Sequence, residues 1–140
     1  MKKLALFLLI CTALFACSKK EVKPVSEESK TTTEAFALAK TIKKAFIKKD
    51  LATLEKNSTI DGLRDITAYG KGFDDVEITF TPRWMEIEDE QINLNISWKS
   101  RWVVSGQRKE GRGMAVFVME GSPLKLTKIL RANPFVLPEY

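Results

Sequence analysis

The residues with the types and spacing best suited to acid–base chemistry are Asp61, Asp65 and Tyr69. They are four positions apart, so a helix through them places all three on one face. In an isomerase-type mechanism, burial would raise the pKa of one aspartate, which would shuttle a proton while Tyr69 donates to a developing oxyanion. The alternative is that both aspartates lie away from the core. The apolar residues of the same segment favour it, because they define a buried side that does not include the aspartates: Ile60, Leu63 and Ile66.

The chain contains no histidine. This excludes Ser–His, Cys–His and His–Asp mechanisms and removes the commonest zinc ligand. The two cysteines, Cys11 and Cys17, lie in or at the end of the N-terminal apolar segment and leave no thiol to the rest of the chain. We therefore expect no metal and no cofactor. Any catalysis would depend on carboxylates, tyrosine or lysine.

The three tryptophans are candidates for lining a pocket for a flat apolar ligand. Trp98 and Trp102 share the dry face of one predicted strand, and their indole N–H groups could orient a ligand. Trp84 precedes them, and Phe36 and Ile42 on the first predicted helix would complete such a pocket. The alternative is that these large side chains pack in the core.

The N-terminus has the pattern of an export signal. Two lysines precede an uncharged run over residues 4–16, which ends in Leu14-Phe15-Ala16-Cys17. The run is too short to span a bilayer but fits the apolar region of a secretory signal. The tetrapeptide resembles the lipobox of bacterial lipoproteins, in which cleavage precedes a cysteine that carries a diacylglyceryl thioether. The alternative is an ordinary secretory signal with an incidental cysteine.

The lipobox resemblance implies a location. Residues 1–16 would be a signal peptide, and acyl chains on Cys17 would hold the protein at a membrane. Because Ser18 follows the cysteine, the outer membrane facing the periplasm is favoured in a Gram-negative source, and otherwise the outer face of the cell membrane. Loss of residues 1–16 removes two lysines and lowers the formal charge from +5 to +3. This weak charge does not suggest a nucleic-acid partner.

The remaining chain divides into a tether and one domain. Residues 17–30 lack a repeating apolar position and predict a lipidated cysteine followed by a flexible tether. Residues 31–140 are enough for one domain. A capping pattern at Thr31 to Glu34 and an apolar stripe from Phe36 to Phe46 predict a first helix over residues 33–48. Two short helices follow, capped by Asp50 and by Ser58 or Thr59.

After the helices, apolar residues recur at every second position instead of at helical spacing. Residues 75–88 predict a strand with a bulge near Pro82, and residues 92–102 predict a long strand with one dry face. Residues 106–113 predict a turn, which lacks the spacing of a phosphate-binding loop. Residues 114–119 are apolar throughout and predict a strand covered on both faces, and residues 124–130 predict the last strand.

Helices followed by an antiparallel meander predict an α+β fold. Here the chain resembles the NTF2-like family, over residues 33–136. The resemblance implies a cone in which N-terminal helices pack in a curved, mainly antiparallel sheet of four to six strands. The family's usual tryptophan in the last strand is absent, with Leu124 or Leu126 in its neighbourhood. These segments carry the resemblance: the Phe36 to Phe46 stripe, Phe73-Asp74-Asp75-Val76, Ser97-Trp98-Lys99, and Phe117-Val118-Met119-Glu120-Gly121 with Leu126-Thr127-Lys128-Ile129.

Three functions follow as hypotheses. The first is a non-enzymatic interaction or scaffold module of the cell envelope, which forms a homodimer through the outer face of its sheet or binds another envelope protein. The second is a binder of a small apolar ligand, because many NTF2-like proteins enclose an apolar pocket between sheet and helices. The third is a histidine-free isomerase or lyase that uses the aspartates and Tyr69.

Overall fold

The computed structural model describes residues 26–68 and 72–139. Three helices precede four strands, which form one antiparallel sheet in the order β1-β2-β3-β4. The helices pack in this curved sheet, so the predicted α+β cone is confirmed. Residues 1–16, which were predicted to be a signal peptide, lie outside the described residues, as do Cys17 and Tyr69. The elements are α1 Glu27–Ile47, α2 Leu51–Asn57, α3 Ile60–Thr67, β1 Asp75–Glu88, β2 Gln91–Val104, β3 Gln107–Glu120 and β4 Lys125–Arg131.

Helix α1 begins six residues earlier than predicted. Its N-cap is Ser26, whose hydroxyl oxygen accepts a hydrogen bond from the Ser29 N–H at 3.1 Å. Glu27 and Glu28 follow in the first turn, where the helix dipole favours negative charge. The three threonines expected to cap the helix instead donate their hydroxyls to carbonyls four residues earlier, inside it. The predicted start is therefore wrong, and residues 27–30 of the predicted tether are helical.

Helices α2 and α3 begin at the predicted caps. Asp50 accepts from the Thr53 N–H at 3.1 Å and from the Thr53 hydroxyl at 2.6 Å. These bonds to the charged form lower the pKa of the Asp50 carboxyl. Thr59 caps α3 by accepting from the Gly62 N–H at 3.3 Å.

The buried side of α3 differs from the prediction. Ile60 is 81% exposed, whereas Ile66 and Gly62 are buried. Gly62 lies directly against the backbone carbonyl of Leu126, where a Cβ atom would not fit. Close contact with β4 therefore sets the orientation of α3, and the assignment of Ile60 to the buried side is wrong.

The first two strands confirm their predicted patterns. The register of β1 against β2 shifts between Pro82 and Trp84, which is the bulge expected there. The dry face of β2 lies under the helices. Its buried residues include Ile92, Leu94, Ile96, Trp98 and Trp102.

The predicted turn over residues 106–113 is wrong. Only Ser105 and Gly106 form the turn, with φ angles of 50° and 76°, as a two-residue hairpin with two left-handed positions requires. Strand β3 begins at Gln107 and pairs with β2 in unbroken register to Glu120. The polar half of β3 could not be predicted as a strand because its glycines and charges are typical of a loop.

The hydrophobic core lies between α1, α3 and the inner face of the sheet, and all its members lie within residues 35–135. Helix α1 contributes the side that includes Leu38, Ile42 and Phe46. None of the helices in the described part has the length and apolar content to cross a membrane.

Candidate functional site

Asp65 links α3 to β4 and to the C-terminal tail, residues 132–139. Its carboxylate accepts a hydrogen bond from the Ile129 N–H at 2.9 Å, and its backbone carbonyl accepts from the Asn133 amide at 2.7 Å. The Asn133 side-chain oxygen in turn accepts from the Phe135 N–H at 2.9 Å. Asp65 therefore holds backbone in place, a role that the helical pattern did not indicate.

Asp61 is in a different environment from Asp65. It is exposed and forms an ion pair with Arg64 at 3.0 Å, as expected of a solvated aspartate. Both aspartates line a polar hollow of about 440 Å³, and Lys128 lines it as well. The third member of the predicted constellation, Tyr69, lies outside the described residues.

Trp98 and Trp102 pack in the core with their N–H groups bonded to protein. The Trp98 indole donates to the Ala132 carbonyl at 2.8 Å, and the Trp102 indole donates to the Ser100 hydroxyl at 3.0 Å. Trp102 also packs edge-on against Phe46 and Phe73. In this geometry neither N–H group is available to orient a ligand.

The glycines of β3 make room for Trp98. A Cβ atom on Gly113 would lie 2.9 Å from the Trp98 ring and 2.8 Å from the Ala132 side chain. A Cβ atom on Gly111 would lie 2.9 Å from Pro138 and 3.2 Å from Trp98. The glycines of β3 thus leave space for the Trp98 indole and for the C-terminal tail to pack against the strand.

The C-terminal tail fills the interior of the cone. The ring of Phe135 is fully buried, and its centroid lies 4.8 Å from that of Phe46, 6.2 Å from that of Phe80 and 6.1 Å from that of Phe117. Pro134 beside it is also fully buried. The sequence analysis gave this tail no role, although its apolar residues between two prolines were a usable signal.

The remaining pocket candidates lie apart from one another. Ile42 is fully buried in the core, and Phe36 is partly buried, with the Lys40 ammonium 4.5 Å above its ring. Trp84 follows the bulge and pairs with Asn95, so it lies on the outer face of the sheet, opposite the helices. Trp84 and Trp98 therefore do not share a face, and placing Trp84 in the cone was wrong.

Lys43 lies at the edge of the core, with its ammonium 5.3 Å from the centre of the Phe80 ring. Partial burial lowers the pKa of Lys43, and the positive charges of Lys40 and Lys44 add to this effect. The helix thus tolerates a partly desolvated cation through contact with an aromatic face.

An apolar pocket of about 300 Å³ lies at one end of the cone. Phe46 and Phe73 form its inner wall, and Leu51 and Leu54 of α2 form another. Lys49 also borders it, but its ammonium donates to the Phe73 carbonyl at 2.9 Å. The sequence analysis did not identify this pocket, because its walls come from segments that are apart in the chain.

The outer face of the sheet carries a row of residues that crosses all four strands and is apolar except at Asn95; it is called the apolar row below. In register order it consists of Trp84, Asn95, Val116 and Leu130. Trp84 is 47% exposed and Leu130 is 39% exposed, at the two ends of the row. Val116, which lies between them, is already buried within one chain. Strand β3 was predicted to be covered on both faces, and at Val116 this cover requires no external partner.

Further along the outer face the side chains become charged. Arg101 of β2 contacts Glu77 of β1 at 3.1 Å and Glu110 of β3 at 3.5 Å. The neighbouring row consists of Thr79, Lys99 and Arg112. The outer face thus has an apolar part and a charged part.

Among the described residues, no group of three carboxylates, thiols or imidazoles is placed to hold a metal ion.

Three N-terminal helices that pack in a curved four-strand meander define a class of α+β cone. A solved structure of this class is the "Nuclear transport factor 2 (NTF2-like) superfamily protein" of Salmonella enterica serovar Typhimurium, with a TM-score of 0.65 and 14% sequence identity. The match covers 76% of this chain and 93% of that one. No family model and no curated protein matches the sequence. The chain has the NTF2-like fold that its sequence predicts.

Proposed function

We propose that the protein is a membrane-anchored, exported lipoprotein whose NTF2-like domain acts as a non-enzymatic interaction module. The partner is a second copy of the chain, and the interface is the apolar row on the outer face of the sheet. The observation that carries this proposal is the exposure of Trp84 and Leu130 at the ends of that row. A row on one sheet face that exposes a large apolar group at each end fits an interaction surface.

The interior of the domain supports an interaction role over a catalytic one. Phe135 and the indoles of Trp98 and Trp102 occupy the cone, and Asp65 bonds to backbone. Function is therefore better sought on the outer surface.

The charge distribution selects one arrangement of the two copies. A two-fold axis along the apolar row brings Leu130 against its own counterpart. Lys99 lies four residues from Asn95 along β2, about 13 Å at the usual rise per residue. The row of Lys99 and Arg112 in one copy then lies roughly 26 Å from the same row in the other copy. This distance is well beyond the screening length of physiological salt, so the two rows do not repel each other. An axis parallel to the strands would instead bring them together.

Disulfide crosslinking tests this arrangement, because the chain has no cysteine after position 17. Residues 18–140, which contain the whole described core, are produced with a single cysteine. Leu130→Cys on the axis should crosslink to itself under mild oxidation. Lys99→Cys on the same face but away from the axis, and Lys44→Cys on α1, should not. Equal crosslinking at all three positions, or none at position 130, would contradict the proposal and leave another envelope protein as the partner.

Anchoring is the second part of the proposal and rests on the Leu14-Phe15-Ala16-Cys17 tetrapeptide. Three acyl chains exceed what stable attachment needs. Metabolic labelling with a palmitate analogue should mark the full chain, and Cys17→Ala should abolish both the label and sedimentation with membranes. Membrane attachment that survives Cys17→Ala would refute lipidation at this residue.

The alternative function, binding of a small apolar ligand, is favoured by the 300 Å³ pocket between Phe46, Leu51, Leu54 and Phe73. A bound ligand raises the melting temperature by mass action. In a thermal-shift screen against apolar metabolites, a hit that Leu54→Ala weakens and Leu130→Lys leaves unchanged would support this function. A hit insensitive to Leu54→Ala would place the ligand elsewhere.

A further inference from the structure

We propose that Lys99 and Arg112, on the outer face of the sheet, form a binding site for a phosphate group. The two residues are direct partners in the register of β2 and β3, and both side chains are exposed. Side chains at directly opposed positions of an antiparallel pair have Cβ atoms about 5 Å apart. An ammonium and a guanidinium therefore lie side by side on one surface.

This pair carries an electrostatic cost that no direct ion pair in the described part of the chain offsets. Like charges directly opposite each other destabilise a sheet. Neither Lys99 nor Arg112 forms an ion pair or side-chain hydrogen bond with another described residue. The carboxylates of the adjacent row, Glu77 and Glu110, both contact Arg101. The positive charge of the Lys99–Arg112 pair is thus available to a ligand.

The surroundings provide further donors in the right place. Two adjoining hollows of about 490 and 610 Å³ share Thr79, Lys99 and Arg112 in their walls. The first hollow is also lined by the Glu77 and Glu110 carboxylates, which contact Arg101, so the phosphate would lie on the side of the second hollow. The second hollow also contacts Ser97 and Arg83, and the Arg83 guanidinium donates to the Ser97 hydroxyl at 3.0 Å. A third cation is thereby held at the edge of the site.

This set of groups fits a phosphate better than a carboxylate. A guanidinium matches two oxygens of a phosphate with parallel N–H donors, while an ammonium acts as a point charge on a third. The hydroxyls of Thr79 and Ser97 can donate to the remaining oxygen. Two adjacent cations match the double negative charge of a phosphate monoester. Pyrophosphate carries more negative charge, which the Arg83 guanidinium at the edge of the site would help to balance.

The phosphate can belong to a soluble compound or to a lipid headgroup, and the site chemistry is the same for both. The site is separate from the apolar row and does not depend on self-association. In the proposed dimer the two sites lie on opposite sides of the two-fold axis, roughly 26 Å apart.

The test uses residues 18–140 and two matched double variants. Lys99→Gln with Arg112→Gln removes the site. Lys44→Gln in the last turn of α1 with Lys48→Gln at its C-cap removes the same charge from exposed positions. Titration calorimetry with inorganic phosphate and pyrophosphate measures the soluble ligand. Co-sedimentation with phosphatidic acid vesicles, whose headgroup is a phosphate monoester, compared with phosphatidylcholine vesicles, measures the lipid source.

We expect the unmodified domain to bind at least one of these probes, with affinity that falls as salt rises. The site variant should lose about tenfold or more in affinity, while the α1 variant stays within about twofold. Binding of pyrophosphate alone identifies a soluble ligand, and binding of anionic vesicles alone identifies a lipid headgroup. Absence of all binding, or equal loss in both variants, would overturn the proposal.

Thermal unfolding gives a second readout that is independent of the ligand. Removing two like charges that repel should raise the melting temperature of the Lys99→Gln, Arg112→Gln variant in the absence of ligand. Where pyrophosphate binds in calorimetry, it should also raise the melting temperature of the unmodified domain and leave that of the variant unchanged. A lower melting temperature in the variant would mean that the pair stabilises the sheet, which would also contradict the proposal.

Discussion

Asp65 shows how a single side chain can have one role in a sequence pattern and another in a fold. The pattern placed it four residues from Asp61 on the solvent side of a helix, beside a second candidate acid. In the structure its carboxylate accepts from the Ile129 N–H, whose residue is 64 positions away. A helical pattern predicts which residues share a face, but it carries no information on which backbone donor that face meets.

Replacement of Asp65 separates these roles. Asp65→Ala should lower the free energy of unfolding by about 1–3 kcal/mol, because it leaves the part-buried Ile129 N–H without an acceptor. Asp65→Asn keeps an oxygen at that place and should lose less than half as much. Urea denaturation measures both. Equal losses for the two variants, or none for Asp65→Ala, would show that the hydrogen bond does not hold β4.

The exposed aspartate on the same helix provides the control. Asp61→Ala removes only a surface ion pair with Arg64 and should change the free energy of unfolding by at most about 1 kcal/mol.

At the scale of the element, only one half of β3 was predicted to be a strand. Its apolar end, residues 114–119, was correctly assigned to a strand, since continuous hydrophobicity fits a strand covered on both sides. Its polar end was assigned to a turn, because glycine and charge are typical of loops. The reason for those glycines is the Trp98 indole lying over Gly111 and Gly113, which is a tertiary contact.

A methyl group at position 113 tests that explanation. Gly113→Ala should lower the free energy of unfolding by about 1–3 kcal/mol, because the added carbon overlaps Trp98 and Ala132. Tryptophan fluorescence during urea unfolding reports both stability and the environment of the indole. Arg112→Ala, on the opposite face of the same strand, should not destabilise the domain. A Gly113→Ala variant as stable as the unmodified domain would contradict this packing.

The C-terminal tail behaves as an element of the core although it has no regular secondary structure at Phe135. Phe135→Ala should cost about 3–5 kcal/mol and leave a cavity between Phe46, Phe80 and Phe117. An apolar cavity of this kind binds a small aromatic molecule. Benzene should therefore raise the melting temperature of the variant more than that of the unmodified domain.

The neighbouring residue of the tail is a suitable comparison. Val136 is only partly buried, so Val136→Ala should cost much less and show no response to benzene. A Phe135→Ala variant with unchanged stability would show that the tail does not fill the cone.

At the scale of the whole molecule, element order and periodicity predicted the α+β layout, and the resemblance to the NTF2-like family implied the cone. A helical stripe, two capped short helices and alternating strands leave few arrangements that bury the stripe, and the sheet order β1-β2-β3-β4 follows from hairpin connections. The two ends of the outer apolar row could not be predicted. Trp84 reaches that face only because the bulge at Pro82 reverses the alternation, and Leu130 joins it only through the β3–β4 register.

The proposed function depends on the formation of a homodimer, and sedimentation equilibrium of residues 18–140 tests this dimer most directly. We predict a concentration-dependent dimer that Leu130→Lys converts to a monomer, because the axis places two new ammonium groups against each other. Ile60→Lys, which adds the same charge at an exposed apolar residue of α3, should remain a dimer. A monomer for the unmodified domain at every concentration, or a dimer that survives Leu130→Lys, would contradict the account.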